Sequence, residues 1–84
     1  METIYDHVDK KTADEFMKKY TPDLYEHFNK LSQDLHYLII YLFYCKKEQY
    51  QKAVDYFPKL NKTDQFLYAH FLHYPFEEAF MIRP

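Results

Sequence analysis

The sequence contains no glycine. Tight hairpin turns, left-handed helix caps and phosphate-cradling loops all lean on that residue. Its absence disfavours a sheet-rich fold and removes P-loop and dinucleotide-binding loops from consideration. Tryptophan is also missing, serine occurs once as Ser32, and Arg83 is the sole arginine. Bidentate recognition of phosphate or guanine is mostly an arginine task, so this scarcity argues against nucleic acid more strongly than the net charge of −2 does. One cysteine, Cys45, excludes an internal disulfide and fits a reducing compartment. The opening stretch METIYDHVDKK has no apolar segment of the kind a signal peptide carries. The longest apolar run, Tyr37 to Cys45, is far short of the ~20 residues a membrane span requires. Together these absences point to a cytoplasmic protein with no membrane partner.

What the chain does have is aromatic rings, ten Tyr and eight Phe among 84 residues. A chain of this length forms one domain and buries roughly 60–65% of its unfolded surface. Each buried ring removes ~150–250 Å² from water. The interior is therefore expected to be too small for all of them, leaving an aromatic surface of the sort that usually marks a partner. The bias towards Lys, Tyr and Phe is also that of an AT-rich genome, such as a low-GC bacterium or its phage.

With no glycine, punctuation falls to Pro22, Pro58, Pro75 and Pro84 and to helix-capping threonines. Residues 1–11 read as a turn or loose N-terminal arm anchored by Ile4 and Val8. Thr12-Ala13-Asp14-Glu15 has the capping-box pattern and starts a short helix with Ala13, Phe16, Met17 and Tyr20 inward. Thr21-Pro22-Asp23 is the clearest helix start, with Thr as cap, Pro in the first turn and Asp complementing the dipole. From there Leu24, Phe28, Leu31, Leu35, Leu38, Leu42 and Cys45 alternate four and three apart, the seam of a heptad. That spacing predicts one long helix over 22–46, with a break near Ser32 as the alternative. Its second half adds another apolar stripe, Tyr37, Ile40, Tyr41 and Tyr44, which places it at the centre of the molecule. Shorter helices are expected over 48–57, stopped by Pro58, over 63–73 after Thr63-Asp64, and after Pro75.

Tyr37, Ile40 and Tyr44 on one helix and Ala53 and Phe57 on the next resemble a single degenerate tetratricopeptide helix hairpin over residues 37–60. Tyr41 stands where that family has a small residue, and no second unit follows. The resemblance implies a hairpin of two packed helices, not a stacked array.

Candidate chemistry is thin. His70 and His73 with Glu77 and Glu78 could face a metal, but Pro75 intervenes and a polar helix edge explains them as well. Cys45 lies on the seam, where a buried thiol is a packing residue before it is a nucleophile. Asp14/Glu15 and Glu77/Glu78 are pairs in helix first turns, expected there for dipole reasons alone. No catalytic residue, cofactor or metal is therefore assigned. Residues 46–62 carry five lysines with Tyr50 and Tyr56 interleaved, a strip that either binds nucleic acid or is an ordinary solvated face.

The sequence thus predicts an all-α fold, a small antiparallel bundle of four or five helices around the long central helix. It predicts a non-enzymatic regulator, adaptor or inhibitor, phage- or mobile-element-encoded, that binds another protein or a second copy of itself. The expected interface is Tyr37, Tyr41 and Tyr44 on the long helix and Tyr68, Phe71, Tyr74 and Phe76 near the C-terminus. The alternative is a nucleic-acid-associated regulator using the Lys-rich 46–62 segment.

Overall fold

The structure, a computed structural model, describes residues 2–30 and 32–82, with the Asn29 side chain left aside. Leu31 of the expected seam and Arg83 lie outside the described residues. α-Helices and 3-10 turns make up 75% of the described residues and no strand occurs among them, so the fold is all-α. The six helices are α1 (Lys10–Tyr20), α2 (Pro22–Tyr25), α3 (Gln33–Lys46), α4 (Tyr50–Tyr56), α5 (Lys62–Tyr68) and α6 (Phe76–Ala79). Short 3-10 turns precede or extend several of them. No helix among the described residues is long and apolar enough to cross a membrane.

The helix expected over 22–46 is interrupted. A straight helix of that span would be ~37 Å long at 1.5 Å per residue, whereas the molecule's longest extent is 28 Å. The chain instead leaves the helical path after α2, makes a 3-10 turn at Phe28–Lys30, and restarts with extended Ser32 at the N-cap position of α3. The detour folds Phe28 inward, where it is 2% exposed and packs against Tyr5 and His36.

Cap positions also differ from the sequence reading. Asp9, not Thr12, caps α1, its Oδ1 accepting the Thr12 N–H at 2.7 Å. A carboxylate is the stronger acceptor there, and the bond holds Asp9 below the usual carboxylate range. Thr21 turns away from α2 and donates its hydroxyl to the Met17 carbonyl at 3.2 Å. Asn61 caps α5, accepting the Asp64 N–H at 2.8 Å. The α5 segment passes into a 3-10 turn at Ala69–Leu72 before reaching His73.

Every residue of α3 from Leu38 to Cys45 is buried, which makes this half-helix the axis of the fold, as its two apolar stripes require. Helix α4 returns along it. The ring pairs Tyr44–Tyr56 and Tyr41–Phe57 run in opposite order on the two segments, the hairpin implied by the tetratricopeptide-like pattern. The N-terminal residues are not a loose arm in this structure. Ile4–Asp6 form a 3-10 turn, and Ile4 is wholly buried against α1 and α3.

Candidate functional site

Most of the expected aromatic interface lies inside the protein. Tyr41 is wholly buried, its hydroxyl donating to the Tyr68 carbonyl at 2.7 Å. Tyr44, Phe71 and Phe76 are buried as well. Phe71 and Phe76 pack against each other with ring centroids 5.3 Å apart. Tyr37 and Tyr68 are half-buried, and Tyr74 alone of the seven is exposed. The correction has a physical cause. The rings pack against Phe16, Phe43 and Tyr56 in edge-on and tilted pairs, so a small interior holds more of them than area arguments allow. Of all Tyr and Phe residues only Phe66, Tyr74 and Phe80 are exposed.

Among the described residues the exposed large apolar side chains are Val54, Phe66, Tyr74 and the consecutive Phe80, Met81 and Ile82. Phe66 is 80% and Met81 83% exposed, with Phe80 and Ile82 on either side of Met81 also outside. The last helix ends at Ala79 and the chain beyond it turns, so that Phe80 keeps one side of its ring against Tyr20, Phe71 and Phe76 while Met81 stands in solvent. Phe80 and Ile82 line a groove whose opposite wall is the end of α1 and the start of α2. Two adjoining hollows of about 250 and 500 Å³ share Tyr20, Asp23, Tyr68 and Phe80 as walls. Leu24 and Leu42 floor the first, and Leu67 and Phe71 the second.

One edge of the groove carries a polar tie between α1, α3 and α6. The Tyr20 hydroxyl donates to Glu77 Oε1 at 2.6 Å, and Lys46 Nζ lies 3.4 Å from the same oxygen. The hydroxyl and the ammonium together hold the Glu77 carboxyl below its usual range. Lys19 and Lys46 sit over the Tyr20 ring at 5.1 and 5.9 Å. Asp23 is the only carboxylate lining either hollow. The first hollow is thus mainly apolar, the second mixes apolar walls with polar groups such as His70, and Asp23 gives both an anionic wall.

The residues considered for chemistry fall elsewhere. Cys45 is wholly buried and its thiol is pushed up to about 12 by desolvation, the opposite of an activated nucleophile. His70 bonds through Nε2 to the Ala79 carbonyl at 3.2 Å, bracing α6. Asp14 is held by Lys10 at 2.8 Å and by the Tyr5 hydroxyl at 2.9 Å. In the Lys-rich segment four ammonium groups lie over rings of the chain itself: Lys46 on Tyr20, Lys47 on Phe43, Lys52 on Tyr44, Lys59 on Tyr56.

Against known proteins, no family model, no curated protein and no solved structure matches this chain.

Proposed function

We propose that this chain is a non-catalytic protein-binding module, a regulator, adaptor or inhibitor that takes a segment of another protein into the C-terminal groove. The observation that carries the reading is the run of three consecutive exposed apolar side chains, Phe80, Met81 and Ile82, two of which line the groove. Leaving such a run in water is unfavourable by about 25 cal/mol per Å², so a partner that covers it gains that energy. The apolar walls call for a Leu- or Phe-like side chain, and the Asp23 carboxylate calls for a Lys or Arg beside it. The AT-biased composition agrees with a phage- or mobile-element-encoded inhibitor of a host protein. The Lys-rich alternative is weakened because four of its five ammonium groups are engaged over rings of the same molecule.

Selection from a displayed peptide library tests the assignment. Enriched peptides should pair a bulky apolar residue with a neighbouring cation. Ile82→Ser should weaken their binding about thirtyfold, the loss of a hot spot worth about 2 kcal/mol. Asp23→Asn should remove the preference for the cation while keeping the apolar one. Peptides that bind Ile82→Ser and the unmodified protein equally would overturn the groove as the site.

A further inference from the structure

The N-terminal segment is fastened to the α3–α4 hairpin by a chain of hydrogen bonds whose direction is fixed at one end. Glu2 Oε2 lies 2.6 Å from the Tyr56 hydroxyl. An ionised carboxylate can only accept, so Tyr56 donates its proton to Glu2. The Tyr56 oxygen then accepts from His7 Nε2 at 3.1 Å, which places the ring proton of a neutral His7 on Nε2. Nδ1 is left bare and accepts the Tyr44 hydroxyl at 2.6 Å. The order Tyr44, His7, Tyr56, Glu2 is one continuous relay linking α3, the N-terminal segment and α4.

The charged surroundings hold this arrangement. Lys59 Nζ is 3.9 Å from Glu2 Oε1 and lies over the Tyr56 and Tyr37 rings at 4.6 and 5.3 Å. Lys52 lies over Tyr44 at 5.5 Å. Glu2 is lowered from the ordinary carboxylate range by the Tyr56 hydroxyl and then by Lys59 and His7. Burial and the Glu2 carboxylate raise the Tyr56 hydroxyl, keeping its proton in place. Gln33 Nε2 also donates to the Glu2 carbonyl at 3.0 Å. Between these polar fastenings Ile4 is wholly buried, Tyr5 stands edge-on to Phe28 and bonds Asp14 through its hydroxyl, and Val8 packs at the edge of the core.

The His7 ring stands edge-on to both Tyr44 and Tyr56, each at 5.5 Å between centroids. The segment therefore covers part of the aromatic face that the sequence pattern of the central helix exposes, with Tyr37 continuing that face beside Tyr56 at 6.1 Å. We infer that residues 2–8 are a strap that masks the Tyr44–Tyr56 face and is latched by Glu2 through Tyr56 and His7. It opens as a unit while the α3 core stays folded. This device is separate from the C-terminal groove and does not depend on what the groove binds.

The test is made on the full chain by nitrogen NMR and amide hydrogen exchange. His7 in its neutral form should show the Nε2–H tautomer. Glu2→Ala and Tyr56→Phe each break the relay, the second without changing charge. Both should speed exchange of the Asp6, His7 and Val8 amides, which bond only within the strap, about tenfold relative to the unmodified protein. Exchange along Leu38–Leu42 should not change, and Tyr44 should become reactive to N-acetylimidazole. A His7 protonated on Nδ1 would overturn the relay. Strap exchange unchanged in both variants, or rising in step with α3, would overturn the strap.

Discussion

His36 shows what a single buried ring does to the pH response. It is 5% exposed, its ring lies 4.5 Å from that of Phe28, and its Nδ1 has no hydrogen-bond partner among the described residues. Desolvation lowers its pKa, so the folded state binds fewer protons than the unfolded chain. The stability it contributes is complete above the unfolded value of about 6.5 and is lost as pH falls below it through the lowered folded value. The melting temperature should therefore drop between pH 7.5 and 5.5, and His36→Phe should flatten that part of the curve. Asp9, Asp14 and Glu77 act in the same direction further down, since their lowered values place the loss below the ordinary carboxylate range. Leu38 and Leu35 separate core from margin on the same seam. Leu38 is 2% exposed and Leu35 only half-buried. Leu38→Ala should destabilise by ~2–5 kcal/mol and Leu35→Ala by less, as measured by urea unfolding.

At the scale of the element, the missing glycine reappears as strain. Helix α3 ends in a Schellman motif, with the Gln49 N–H bonding the Tyr44 carbonyl at 2.9 Å and the Glu48 N–H bonding the Cys45 carbonyl at 3.1 Å. The motif requires a left-handed residue, and Glu48 takes that place at φ 58°. A side chain there costs about 1–2 kcal/mol, part of which glycine's greater unfolded-state entropy cancels. Glu48→Gly should therefore raise stability by roughly 0.5–1 kcal/mol, read as a higher melting temperature. Prolines punctuate as their chemistry demands. Pro22 opens α2, Pro58 lies in the 3-10 turn that follows α4, and Pro75 precedes α6. Thr12 and Thr21, by contrast, lose their expected capping roles because Asp9 offers a charged acceptor and the Met17 carbonyl a nearer partner.

For the molecule as a whole, surface area answers the question raised by the aromatic content. A compact monomer of 10.5 kDa exposes about 5,400 Å², and this protein exposes 5503 Å². One copy closes its own core. Light scattering coupled to size exclusion should accordingly give a mass near that of a single chain across a concentration series. A stable dimer would mean that Phe66 or the Phe80–Ile82 run is covered by a second copy, and peptide binding at the groove would then fall with protein concentration.

The sequence by itself determined the helical class, the central position of the second half of the seam, the hairpin that follows, the stop at Pro58 and the helix start after Pro75. These depend on local spacing and on backbone chemistry that acts within a few residues. Tertiary structure decided where the long seam breaks, because periodicity carries no information about a 28 Å limit on length. It decided which rings are inside. Tyr41 and Tyr44 share a stripe with Tyr37, yet burial depends on what α4 and residues 2–8 lay over each one. It also made the groove, since Tyr20 with Asp23, Tyr68 and Phe80 come from three separate stretches of chain that only folding brings together.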